Sequence, residues 1–342
     1  MSSRFLERLY ALMRASGDPY EKACLSLDAA SYLARRGDYV DSASMTQGIR
    51  DEGLHLSDVS VSAWLNFAEG MQFHCRGSDQ EARMKWSRCI AIARSGRCGD
   101  ILGRALAWRA FCDYTSLRIE PLFTYMREAV LVLENESSES RARTNMTLAQ
   151  IHHLCGRFST AKNYYDRSRI ACLENGDDVM LLALIHNMAW LRVSALRNDE
   201  IRGMPVSDDG NIVALTSEST RNYEDLIGAK AFDVMTPLLG VQVDIIKERY
   251  AAAIEVIGSR LKDLSLQGLS RLSAALIADR GYCRGKLGDH SGARSDALTA
   301  IESISSEDHV DDLAVLYSRV ARIFEMIGEP EEAEKYISRA EG

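Results

Sequence analysis

Apolar residues recur at three- and four-residue spacing along nearly the whole chain, and no stretch alternates strictly between apolar and polar positions. That periodicity predicts amphipathic helices and no sheet. The stretch from Ala63 to Ala93 shows the basic unit, two helices around a break at Cys75-Arg76-Gly77-Ser78-Asp79. Gly77 suits the left-handed residue that ends a helix, and Asp79 suits the start of the next. Gly70 and Ala82 are small where the two helices must approach closely. Ahead of this pattern, a capping helix over residues 3–15 puts Phe5, Leu6, Leu9, Leu12 and Met13 on one side. Asp18-Pro19 then supplies an N-cap followed by proline at the first helical position.

The helix–break–helix unit repeats. Breaks are predicted at Gly37, Gly77, Leu117, Gly156, Leu196, Glu248, Gly288 and Gly328, with successive spacings of 40, 40, 39, 40, 52, 40 and 40 residues. Seven residues before each break stand Ala30, Gly70, Ala110, Ala149, Ala189, Val241, Gly281 and Ala321, nearly all small. Five residues after it stand Ser42, Ala82, Leu122, Ala161, Ile201, Ala253, Ala293 and Ala333. A third column lies twelve after the break, with Ile49, Cys89, Ala129, Ser168, Arg260, Ala300 and Ala340. A period held over nearly the whole chain predicts an all-α solenoid.

The pattern resembles the tetratricopeptide repeat family, in which a small residue in the first helix, a large one three later, glycine at the turn and alanine five on recur in each unit. The second unit carries Gly70, Phe73, Gly77, Ala82, Trp86 and Cys89, and the last carries Ala321, Phe324, Gly328, Ala333, Ile337 and Ala340. The resemblance implies a right-handed TPR-like α-solenoid of about eight helix pairs plus the capping helix, a single superhelical domain over 1–342 with repeats from about residue 18. The spacing near 40 exceeds the roughly 34 residues usual in that family, and the proline near the end of each unit is missing. In length it is similar to the sensor solenoids of maltose-activator-type bacterial regulators.

The fifth unit departs from the period by 12 residues, and Asn198-Asp-Glu-Ile-Arg-Gly-Met-Pro-Val-Ser-Asp-Asp-Gly-Asn211 predicts a long loop at about 199–211. Two readings apply, a tolerated insertion on one rim or a flap over the groove. Thr236-Pro237 resembles an N-cap and first helical position for the next unit. At the other end no polar helix covers Tyr336, Ile337 and Ala340, which points to self-association through the C-terminal helix pair or to a minimal array.

Composition narrows the function classes. A net charge of −8 argues against a nucleic-acid partner. Arg outnumbers Lys 33 to 8, which reflects either genomic bias or selective anion recognition by Arg. Eight cysteines without a CxxC pair fit small buried hydrophobes in a reducing cytosol. The charged N-terminus with Arg4, Glu7, Arg8 and Arg14 is unlike a signal peptide, and no run is expected to approach a membrane span. These features together predict a cytoplasmic protein with no membrane partner.

No signature of a catalytic, metal or cofactor site is present: HExxH, a phosphate loop, GxSxG and paired-cysteine metal sites are all missing. Gly281-Tyr-Cys-Arg-Gly-Lys286 is phosphate-like only superficially, since helix packing accounts for Gly281. His152 and His153 are adjacent, hence about 100° apart on a helix and poorly placed to share an ion. What remains is the stripe of each first helix that, by the resemblance, faces the concave side. It offers Trp64, Phe67, Met71 and His74; Arg104, Phe111 and Tyr114; Arg143, Gln150 and His153; and His186 and Trp190. Aromatic residues beside Arg, Gln and His suit a partly apolar ligand with an anionic or amide group, such as a peptide. The alternative for these side chains is burial, because a tightly wound superhelix fills its own groove. Trp86 is assigned to the core, and Trp108 is left open between core and groove. A non-enzymatic protein- or peptide-binding scaffold is the first expectation. A regulatory sensor acting on a transcriptional or catalytic partner is the second, and an enzyme built on His153 and His186 is the third.

Overall fold

A computed structural model of the chain describes residues 3–132, 138–204, 210–233, 235–266, 272–304 and 310–341. Among the described residues the fold is all-α, with no strand. The helices in chain order are α1 (Arg4–Ala15), α2 (Pro19–Arg36), α3 (Tyr39–Asp51), α4 (Val59–His74), α5 (Asp79–Gly96), α6 (Gly99–Thr115), α7 (Ile119–Val132), α8 (Ser138–Leu154) and α9 (Phe158–Asn175). They continue as α10 (Asp178–Ile201), α11 (Gly210–Ile227), α12 (Met235–Ile246), α13 (Tyr250–Leu266), α14 (Ser273–Lys286), α15 (His290–Glu302), α16 (Val310–Met326) and α17 (Pro330–Glu341).

Seven of the eight expected breaks are real chain reversals. Gly37, Gly77, Gly156, Gly288 and Gly328 all have positive φ, and so do Leu117 (φ 49°) and Glu248 (φ 58°), which hold the left-handed conformation at a steric cost that glycine avoids. The eighth is corrected: Leu196 lies inside α10, which runs on to Ile201, and the chain turns at Gly203 (φ 67°) instead. The fifth pair lengthened its first helix, so a break carried over by register fell too early. For the same reason Asn198 to Ile201 are helical, and the loop expected at 199–211 starts three residues late. At its other end residues 210–211 already belong to α11, and 205–209 lie outside the described residues. One further expectation is overturned: α10, at 24 residues, is long and apolar enough to cross a membrane, and is the one such helix among the described residues. Its apolar length has a second use, for Ala189, Val193 and Leu196 are buried against Leu239 and Val243.

The chain divides into two compact units, Met1–Ile185 with Tyr223–Phe232, and His186–Asn222 with Asp233–Gly342. In unit one, α2 packs on α3 and α4, α4 on α5, α6 on α7 and α8, and α8 on α9. In unit two, α12 packs on α13, α14 on α15 and α16, and α16 on α17. The column residues are where these helices touch. Ala30, Ala110, Ala149, Ala189, Val241 and Ala321 are all buried, as are Ser42, Ala82, Ala161, Ala253, Ala293 and Ala333. Gly70 shows the reason most directly: a Cβ there would stand 2.6 Å from Trp86 Nε1. Trp86 is wholly buried and donates its indole N–H to Phe67 O at 3.2 Å, which makes it core as expected.

Unit one carries contacts that are long in sequence. Arg35 on α2 meets Asp177 at 2.7 Å, and the Tyr32 hydroxyl donates to Asp178, both acceptors lying at the start of α10. Phe5 of α1 stacks on Tyr32 with centroids 5.0 Å apart and joins Leu9, Val179, Leu182 and Ile227 in one apolar cluster. The returning segment 228–232 ties into the same corner, where the N–H groups of Lys230 and Ala231 donate to Arg36 O at 2.8 and 3.2 Å. The core of unit two gathers Leu238, Ile257, Leu276, Tyr282, Val320, Phe324 and Tyr336. Tyr336 is covered by Phe324 of its own chain, stacked at 5.7 Å, while Ile337 stays exposed.

Two glycines give opposite expected outcomes. Gly70→Ala forces the Trp86 ring to move and lowers stability by about 1–3 kcal/mol. Gly48→Ala on the exposed side of α3, with nothing within 4 Å of its Cβ, raises it by roughly 0.5–1 kcal/mol through helix propensity. Urea denaturation followed by circular dichroism measures both.

Candidate functional site

The first helices of unit one bring most of the sequence-derived residues together. Trp64 and Phe67 on α4 meet edge to face at 5.9 Å, and the Arg104 guanidinium of α6 lies 4.7 Å from the Trp64 ring centre. Two turns beyond Phe67 on α4, His74 is in ring contact with Trp86, Trp108 and Phe111, all within 5.7 Å. Trp108 also meets Phe111 edge to face, and Phe111 stacks on Tyr114 at 6.2 Å. Arg143 of α8 completes the cluster, its guanidinium 3.2 Å from the Phe111 centroid and 4.3 Å from that of Trp108. Helical spacing explains this, since Trp108, Phe111 and Tyr114 on α6 follow at three-residue intervals and so share a side.

Burial is the dominant property of this cluster. Trp64, Phe67, Met71, Arg104, Phe111, Arg143 and Gln150 are all buried, whereas His74, Tyr114 and His153 keep partial exposure. Trp108 is buried within the cluster, which decides a position that sequence left open. The signal for it was its position three residues before Phe111 on an otherwise apolar side of α6. His153 lies apart from the Arg143 cluster, in ring contact with Phe158 and Tyr165. His186 and Trp190 belong to unit two and stack on each other at 6.5 Å.

The two arginines of the stripe have different electrostatic settings. Arg104 forms a buried ion network with Asp28 at 2.9 Å, Asp100 at 3.2 Å and Glu139 at 3.6 Å, and Glu139 also takes Arg8 of α1 at 2.8 Å. Burial pushes the Asp28 carboxyl up to about 6, with Arg104 pulling the other way, so it is ionised at neutral pH. Arg104 itself is held well above the ordinary range by these carboxylates, against the effect of its burial. Arg143 meets no carboxylate, and burial with the nearby charge of Arg35 pushes its pKa well below the ordinary value.

One trio has the donor types of a metal centre. The ligating atoms of His74, Asp79 and Cys112 lie within 4.8 Å of one another. Their surroundings favour anions over cations: His74 Nδ1 is already paired with Asp79 at 2.7 Å, Arg83 Nη1 lies 3.9 Å from Cys112 Sγ, and Asp79 opens α5 at the positive end of its dipole. Burial pushes the Cys112 thiol up to about 12, so the thiolate a metal needs is scarce at neutral pH. Beside this trio, and sharing Arg83 with its surroundings, an open pocket of about 470 Å³ is lined by Gln80, Arg83, Met84, Ser87, Arg109 and Arg118. Its three arginines are only partly offset: the buried Asp113 accepts from Arg109 and faces Arg118 at 3.8 Å, while Arg83 donates to Ser116 Oγ at 2.9 Å.

No protein-family model matches this chain, and no curated protein matches it.

Two outcomes test these environments. Arg104→Ala leaves Asp28 buried without its cation, while Glu139 keeps Arg8, and costs about 3–5 kcal/mol of stability, read as a lower urea midpoint. Burial holds the His186 imidazole neutral, with its pKa lowered to about 4 against 6.5 when unfolded. Between those values the unfolded chain binds the extra proton, so stability rises with pH through that window and is lost as pH falls through it. The contribution is up to about 3 kcal/mol from the size of the shift. A comparison of wild type and His186→Gln by thermal unfolding from pH 4 to pH 7 shows the slope diminished in the variant.

Proposed function

We propose that this protein is a non-enzymatic scaffold that binds a peptide or protein segment along the first-helix face of unit one. The paired helices and their small-residue columns support an arrangement like that of tetratricopeptide repeats, in which such a face is the recognition surface. One observation carries the reading. Trp64, Phe67, His74, Trp108, Phe111 and Tyr114 are not required by the repeat columns, yet they form two sets of ring contacts, Trp64 with Phe67 beside Arg104, and His74 with Trp108, Phe111 and Tyr114 beside Arg143. Aromatic and Arg side chains gathered in this way are the composition of interface anchors. The partly exposed His74 and Tyr114 form the outer margin of this cluster, and a ligand reaches them first.

A second reading, the regulatory sensor, draws on the depth of the same cluster. A ligand that reaches Phe111 or Arg143 must displace packed side chains, so binding is coupled to rearrangement of helix pairs. Neither reading needs a cofactor, a membrane or a nucleic acid, and both are compatible with a cytoplasmic protein. Self-association at the C-terminus would rest on the exposed Ile337 alone.

A photo-crosslinking amino acid at position 114 is expected to capture a peptide segment from the native cytosol. The same group at the exposed position 40, on α3, captures none or a different set. Equal capture at both positions, identified by mass spectrometry, would sink the assignment of this face.

A further inference from the structure

Most buried arginines in this protein meet carboxylates. Arg35 meets Asp177 at 2.7 Å, Arg104 meets Asp28 at 2.9 Å, Arg319 meets Asp279 at 3.0 Å and Glu200 at 2.7 Å, and Arg109 meets Asp113. Among the described residues Arg197 and Arg143 depart from this: Arg197, buried with an unpartnered Nε, meets no carboxylate, and Arg143 is left with two such nitrogens. Its residue exposure is 2%, and its Nε and Nη2 are buried without a hydrogen-bond partner. The titratable side chains that face it are Arg35, Tyr114, Cys75, Cys112 and Cys172. Burial keeps all three thiols protonated at neutral pH, with Cys75 and Cys112 pushed up to about 12 and Cys172 higher still, so they supply no counter-charge. Asp177, the carboxylate that pairs with Arg35, is taken by that arginine and by the Met180 N–H at 2.9 Å.

A guanidinium retains its proton at physiological pH, and a buried one without a partner is strongly unfavourable. Rings cover one part of this group, Phe111 and Trp108 lying within 4.3 Å of its carbon. The unpaired Nε and Nη2 form one edge of the fork, the pair of donors that a carboxylate or phosphate accepts in two parallel bonds. We propose that Arg143 anchors an oxyanion site in unit one, filled by the carboxylate or phosphate group of a small ligand. Arg35 adds a second positive charge to that site, and the aromatic rings exclude water, which strengthens the pairing. The site does not depend on the peptide reading, since a free anion satisfies Arg143 as well as a peptide carboxylate does.

The test is calorimetric titration of the full chain with inorganic phosphate and, separately, with acetate, at constant ionic strength balanced with chloride. The expected result is saturable one-site binding of at least one probe with a Kd of about 1 mM or tighter. Binding by phosphate alone assigns a phosphoryl ligand, and binding by acetate alone assigns a carboxylate. Arg143→Gln, with unchanged far-ultraviolet circular dichroism, is expected to lose at least about tenfold in affinity, and Arg143→Lys to retain part of it. Lack of saturable binding of both probes to the wild type, or equal binding by Arg143→Gln, overturns the proposal. If Arg143→Gln does not fold, tryptophan fluorescence decides instead. The probe that binds wild type must change the emission, and Trp108→Phe must abolish that change; persistence of the change in Trp108→Phe places the anion elsewhere.

Discussion

Two helices can cross at short distance only where one of them carries little or no side chain, and this chain meets that constraint at the same point of nearly every pair. Gly70 leaves room for the Trp86 ring, and Gly281 leaves room for Asp296 and Ile323, whose atoms stand 2.9 Å from where its Cβ would be. With that contact fixed, the second helix of a pair has one place to lie, and its own small residue, Ala82 or Ala293, is buried against the first. Everything larger is pushed to the remaining sides. The bulky residues of α4, α6 and α8 in unit one therefore meet one another away from the column contact. Their cluster is a by-product of close helix pairing as well as a candidate surface.

This constraint also explains what could be seen in the sequence. Glycine and alanine columns are single-position requirements repeated at a fixed interval, so they survive as a visible pattern even where Leu117 and Glu248 stand in for glycine at the turn. The pattern misled only where the interval changed. At Leu196 the register pointed to a break, but α10 is stabilised by burial of Val193 and Leu196 against α12 and continues to Gly203. Most of the candidate residues could be placed on the right helices by register, yet their burial could not be read from spacing. Whether Trp64 or Phe111 is covered depends on how the first helices of unit one meet, and on the contact of α2 with residues 177–178. Ion partners were invisible for a related reason. Arg104 and Asp28 are 76 residues apart, and nothing local to either marks the other.

The two units handle buried charge differently. In unit two, Arg319 sits 4.3 Å from the Tyr282 ring and is neutralised by Asp279 and Glu200, while Gln242 donates to the second oxygen of Asp279 at 2.6 Å. Each member of that network has a partner and its charge is neutralised, although Arg319 Nη2 and Gln242 Oε1 are buried without hydrogen bonds. In unit one Arg104 is likewise neutralised by carboxylates, though its Nε is buried without a partner, and its network ties α1, α2, α6 and α8 together through Arg8, Asp28 and Glu139. Arg143, a few residues along α8 from Glu139, has the ring contact of Arg319 without its carboxylates. The contrast with Arg104 and Arg319 is what makes Arg143 informative, although Arg197 is also buried without a carboxylate among the described residues.

The segment 223–232 belongs to unit one although 37 residues assigned to unit two, His186–Asn222, separate it from the rest. Its Lys230 and Ala231 hold the carbonyl of Arg36, and Gly37 admits it by offering no Cβ, which would stand 2.7 Å from Ala231 N. The order of synthesis therefore matters. Helix pairs at the N-terminus can form as they leave the ribosome, but the corner where α1, α2 and α10 meet cannot be completed until Phe232 has emerged. Until then Phe5, Tyr32 and Leu182 present an unfinished apolar surface, the kind of transient exposure that invites misassembly or a chaperone. The discontinuity makes completion of the first unit wait for part of the second.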